Sequence, residues 1–123
     1  MEAQYKELVA ALLPQGILAY FELTHFKKQD TGLYIHLEER NVLPQEFKEQ
    51  GHLYHSKGFY PQITLQDFPI RGQKVFLLIK RRRWEHQQSG EVVQRDWSLV
   101  QKGTRMTAEF AAFLKEVFGS PAR

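Results

Sequence analysis

The sequence contains no cysteine. Disulfides and thiolate-held zinc are thereby excluded, and a reducing, cytoplasmic setting is the natural expectation. It also lacks any apolar run near the ~18 residues of a membrane span, and the Met1 end carries no signal-peptide pattern. A membrane partner is therefore not expected. There is no Gly-rich phosphate loop and no Gly-x-Ser-x-Gly elbow, and Ser56, Ser89, Ser98 and Ser120 stand in plain contexts. Nothing assembles a reaction, so the sequence reads as a non-enzyme without a cofactor. Internal repeats, linkers and low-complexity segments are missing too.

What is present fits one small globular domain spanning residues 1–123, 42% hydrophobic and 25% charged, with a generous 13% aromatic content. The net charge of +3 hides an asymmetry. Residues 1–70 hold six Lys/Arg against nine Asp/Glu, whereas residues 71–105 hold nine against three. Basic charge gathered into one third of a chain suits a polyanion-binding surface. The plainer alternative is a solvated basic hairpin.

The spacing of Tyr5, Leu8, Val9, Leu12 and Leu13 predicts a helix over Glu2–Leu13, closed by Pro14 and Gly16, with its stripe in the core. Alternation predicts strands over Ile17–Phe26 and Leu33–Glu39, joined as a hairpin by Lys27–Gly32. Pro44 can open a short helical turn through Gln50. Gly58–Phe68 again alternates, and Asp67–Lys74 has turn chemistry. Lys74–Glu85 reads as a long strand that returns antiparallel over Glu91–Val100. The register places Trp84 opposite Val93, Arg82 opposite Arg95, Arg81 opposite Asp96 and Lys80 opposite Trp97. Thr107 caps a last helix whose Phe110, Phe113, Leu114, Val117 and Phe118 form an apolar stripe, stopped by Gly119 and Pro121. The expected fold is α+β: a small, mostly antiparallel sheet of about five strands, two hairpins plus one strand, flanked by an N-terminal and a C-terminal helix.

The chain is organised around Lys74–Trp84, where five apolar residues, Val75–Ile79, meet four cations, Lys80–Arg83. Successive strand residues alternate faces, so these cations cannot all share one side. At ~3.3 Å per residue the run spans roughly 10 Å, about three phosphates of one strand. Arg71, Lys74, Lys80, Arg81, Arg82, Arg83, Arg95, Lys102 and Arg105 are the candidate DNA contacts, with Trp84 as a ring able to stack on a base. Asp96 is the local anion able to offset one arginine. His52, His55 and His86 are weak metal candidates, because His-x-x-His without further ligands is a poor zinc signal. The expectation is no metal.

Asp67-Phe-Pro-Ile-Arg-Gly72, the strand ending Arg81-Arg-Arg-Trp84, then Arg95-Asp-Trp97, Gly103-Thr-Arg-Met-Thr107 and Glu109–Lys115 occur in that order. Over roughly residues 12–118 the sequence resembles the N-terminal region of ISAon-type insertion-sequence transposases. The resemblance implies a relation to bacterial transposases with a zinc-binding N-terminal domain, a helix-turn-helix and an acidic-triad catalytic domain. Their two Cys-x-x-Cys pairs would fall near His52–His55 and on His86–Gly90, where all four thiolates are absent. A metal-free version of the same β-scaffold is implied. The helix 107–118 would begin the helix-turn-helix. With the chain ending at Arg123, the recognition helix and acidic triad are expected on a separate or frameshift-joined polypeptide.

The leading expectation is thus a non-catalytic, DNA-binding transposase module acting on double-stranded element ends through residues 71–105, in the bacterial cytoplasm at the nucleoid. Two alternatives stay open. One is an accessory subunit that docks a catalytic transposase chain, or a second copy of itself, through Phe110, Phe113, Leu114, Val117 and Phe118. The other is a single-stranded nucleic-acid binder using aromatic platforms on a β-surface.

Overall fold

The computed structural model describes residues 2–14 and 16–97. Lys102, Arg105 and the expected helix 107–118 lie outside the described residues. The chain divides into two compact units, one holding residues through Phe21 and from Asp96 onward, the other Glu22–Arg95. Among the described residues no helix is long and apolar enough to cross a membrane.

In the first unit, α1 spans Glu2–Leu12 and buries none of its residues. Of the expected stripe, Tyr5, Leu8 and Leu12 are at least half accessible and Val9 is half-buried, and only Leu13, just past the helix, reaches the core that helical periodicity suggests for all five. Periodicity fixes which residues share a face, not what covers it. Pro14 ends the helix, and a 3₁₀ turn at Ile17–Ala19 replaces the first residues of the expected strand. That turn is closed by Ile17 N–H to the Pro14 carbonyl and Ala19 N–H to the Gly16 carbonyl. Trp97 stacks on Phe21, centroids 5.5 Å apart, and meets Tyr20 edge-on.

The second unit is built on two sheets. Strands β1 (Phe21–Gln29), β2 (Gly32–Glu39), β4 (Ile63–Ile70) and β5 (Gln73–Lys80) form one, in the order β1-β2-β5-β4. Strands β3 (Tyr54–Phe59), β6 (Arg82–His86) and β7 (Val92–Val93) form the other, in that order. A kinked 3₁₀ segment, Gln45–Leu53, lies between β2 and β3 and begins after Pro44, as expected of that proline. The class is α+β as expected, but among the described residues there are seven strands in two sheets in place of about five in one.

The central pair departs most from expectation. β2 and β5 run parallel, Leu33 beside Val75 and Glu38 beside Lys80. A parallel pair needs a long crossover, and here the crossover carries two strands of its own. One face of the pair is buried: Leu33, Ile35, Leu37, Val75, Leu77 and Ile79 are all within 9% exposure, each worth about 1.5–3 kcal/mol of burial. Gly32 permits the pairing. A Cβ there would sit 2.7 Å from the Lys74 carbonyl oxygen, and its φ is +148°.

The predicted long strand Lys74–Glu85 exists but breaks at Arg81, passing from the first sheet to the second. The bend changes the phase of burial. Val75, Leu77 and Ile79 are buried before it, and Trp84 is buried after it. One strand serving two sheets turns its corner at such a bend.

Candidate nucleic-acid interface

The corner at Arg81 sorts the cationic run by face. Arg82 turns inward. Its backbone N–H donates to Glu39 Oε1 at 3.0 Å, its Nε to the Glu39 carbonyl oxygen at 3.0 Å, and its guanidinium to Ser56 Oγ at 2.5 Å. The same guanidinium lies over the Phe59 ring, 4.6 Å from its centroid. Arg81 and Arg83 turn the other way and converge on one aromatic, Tyr60, at 5.1 and 5.6 Å from the centroid. Tyr60 is fixed beside them because its N–H donates to the Arg81 carbonyl at 2.8 Å, and Pro61 holds it extended. A β-bulge between Ser56 and Phe59 offers the Lys57 carbonyl, which accepts from Arg83 at 3.1 Å.

Glu39 holds the corner. It is 1% exposed, and its second oxygen accepts from Arg95 Nε at 2.9 Å. Arg95 also donates to the Val42 carbonyl at 2.5 Å. Burial raises the Glu39 carboxyl above its ordinary 4.5, while the Arg82 amide, the Arg95 hydrogen bond and both guanidinium charges pull it part of the way back. One buried carboxylate thus takes the Arg82 backbone amide on one oxygen and the Arg95 guanidinium on the other.

Three sequence assignments change accordingly. Arg82 and Arg95 have internal partners and do not belong with the DNA contacts. Trp84 is 2% exposed, with its Nε1 donating to Asn41 Oδ1 at 2.9 Å, so its ring has no face for a base. The hairpin register holds at its start, Trp84 opposite Val93. Because β7 ends there, Lys80 pairs instead with Glu38 and Arg82 with Phe59. The expected partners Arg95, Asp96 and Trp97 are not in the ladder.

The candidate histidines do not converge. His52 is exposed, and His55 Nε2 lies 3.4 Å from Glu85, which also holds Lys57 at 3.1 Å. His86 Nδ1 accepts the backbone N–H groups of Gln88 and Ser89 at 3.2 and 3.1 Å, which occupies its lone pair in the turn. Among the described residues no three His, Asp or Glu side chains lie close enough to share a metal.

Arg71 and Lys74 are exposed at the other end of β5. Lys74 and Arg81 are seven positions apart, about 23 Å of strand. Among the described residues, Arg71 and Lys74 thus stand at one end of β5 and the Arg81–Arg83 run at the other.

No protein-family model, characterised protein or solved structure matches the chain. Its site is read from its own geometry. Sequence reasoning missed Glu39, Tyr60, Asn41 and Ser56. Only Glu39 leaves a usable signal, a charge at the inward parity that Leu33, Ile35 and Leu37 define.

Proposed function

We propose that the chain is a non-catalytic nucleic-acid-binding module acting on duplex DNA through Arg81, Arg83 and Tyr60, with Arg71 and Lys74 as a second contact. One observation carries this reading: two neighbouring guanidiniums converge on a single tyrosine ring while the arginine between them is held inside by Glu39. Guanidiniums braced on an aromatic lose less side-chain entropy when they meet a phosphate. The wider proposal is a transposase N-terminal module binding element ends. The segments His52–His55 and His86–Gly90, where that resemblance would put cysteine pairs, lie side by side. Tyr54 pairs with His86, and Gln87 N–H donates to the Leu53 carbonyl. Packing and hydrogen bonds there supply what a metal would.

The test is the salt dependence of binding to labelled duplex. Four phosphate contacts give a log–log slope of about −3.6, and neutralising Arg81 and Arg83 together as glutamines lowers its magnitude by about 1.8. Absence of binding at low salt, or a slope untouched by the double change, refutes the proposal. The second reading, a subunit that docks another chain, is expected from the sequence to use the helix 107–118, which lies outside the described residues; the exposed Tyr5, Leu8 and Leu12 of α1 offer it a different surface. That reading predicts association lost on Leu8→Asp and no salt-steep DNA affinity.

A further inference from the structure

At the far end of β5 from Arg81, the tip of the β4–β5 hairpin carries three features that stability alone does not explain. First, the ladder slips between Asp67 and Ile70, so that Phe68 and Pro69 together oppose Lys74. This is a β-bulge, a device that re-aims side chains. Second, the bulge delivers Phe68 to solvent at 81% exposure, the most exposed of the large hydrophobic residues described. Third, the turn itself is Arg71-Gly72 with both φ positive, +53° and +77°. Gly72 is at ease there, but an arginine in the left-handed region is strained, where asparagine or glycine is usual.

Strain and an exposed ring at one tip point to use. We propose that this tip is a nucleobase-stacking wedge, with Phe68 as the stacking ring and Arg71 and Lys74 as its phosphate contacts. The inference rests on the nucleic-acid reading above and extends it to a second, separate contact. Pro69 stiffens the backbone behind the ring, which limits the ordering cost of insertion. Apolar wedges flanked by cations are how proteins open base steps or hold unpaired bases. A lipid surface is the poorer match, because one ring beside Asp67 and the charged turn offers little apolar area. The ~23 Å between Lys74 and Arg81 corresponds to about seven nucleotide steps of one strand, so tip and corner address different phosphates.

The protein supplies its own reporter background. Both tryptophans, Trp84 and Trp97, are buried at 2% and 8% exposure, so Phe68→Trp adds a solvent-exposed indole. The full chain is titrated with a short mixed-sequence duplex, with the same strand alone, and with anionic phosphatidylserine vesicles. Anisotropy of labelled DNA reports binding independently. The expected result is that bound DNA quenches the added indole and shields it from acrylamide, and that Phe68→Ala binds about tenfold more weakly with an unchanged salt slope. Quenching by the single strand alone identifies an unpaired base as the ligand, and quenching by both identifies a base step of the duplex. DNA bound while the indole stays as quenchable as in the free protein overturns the wedge and leaves the corner site standing. No DNA bound at low salt overturns both, and shielding by vesicles but not by DNA overturns the wedge in favour of a lipid contact. Circular dichroism of the two variants checks that the fold persists.

Discussion

Glu39→Gln tests the corner most directly, because it keeps the side-chain volume and removes only the charge and one acceptor. The carboxylate accepts from the Arg82 amide through one oxygen and from Arg95 Nε through the other. An amide has a single acceptor oxygen, so at least one donor must face an NH₂ group. Glu39 is 1% exposed and the Arg95 side chain 12%, so the loss is that of a buried ion pair deprived of one partner, about 3–5 kcal/mol. For a chain of this size that lowers the melting temperature by roughly 10–25 °C. Urea unfolding followed by circular dichroism measures it. The pH dependence adds a sign. Because burial holds the Glu39 carboxyl above its ordinary 4.5, the folded state keeps this proton to higher pH than the unfolded chain does. The stability contributed by this titration is complete below 4.5 and is lost as pH rises through the raised value. The margin of the native protein over Glu39→Gln should therefore shrink as pH climbs through that interval and then level off. A loss under about 1 kcal/mol would refute the account of Glu39 as a buried anchor, whereas a margin that widens with pH would refute the raised carboxyl alone.

Three further outcomes follow from the geometry. Arg71→Asn should stabilise the protein by about 1 kcal/mol, since asparagine suits the first position of such a turn. The same change should weaken DNA binding, and a lower melting temperature would contradict the strain at Arg71. Asn41→Ala leaves Trp84 Nε1 buried without its acceptor and should cost about 1–3 kcal/mol in denaturant unfolding, whereas Lys57→Ala, which removes a surface partner of Glu85, should cost under ~1 kcal/mol. Gly32→Ala drives a Cβ against the Lys74 carbonyl and should cost about 1–3 kcal/mol. Its amides on β2 and β5 should exchange faster, and unchanged exchange would deny the close approach.

Much of the local structure was legible because it depends on neighbours in sequence. Leu33, Ile35 and Leu37 announce a half-buried strand, and Val75–Ile79 announces a central one. The count from Trp84 across the turn finds Val93. What depends on partners far along the chain was not legible. Alternation cannot say that β2 and β5 run side by side in the same direction, because either direction buries the same residues. The four cations showed that they must face two ways, but not which of them would meet Glu39. That required a fold bringing residue 39 beside residue 82. Likewise Tyr5, Leu8 and Leu12 of α1 read as core and lie open, although Leu13 of the same stripe is buried, since the helical period carries no information about what covers it.

The bend at Arg81 bears on how the gene can vary. Side-chain direction in β5 and β6 is set by counting from this corner, with no slack on either side. Between Ile79 and Trp84, both buried, stand four residues, and the change of phase at Arg81 falls among them. Substituting one of them alters a single contact. Inserting or deleting one turns Trp84 into solvent or brings Arg81 or Arg83 against Glu39, reversing every assignment at once. Descendants of this sequence should therefore differ in the identity of residues 80–83 far more readily than in their number, and length variation should collect in the turn at Gln87–Gly90.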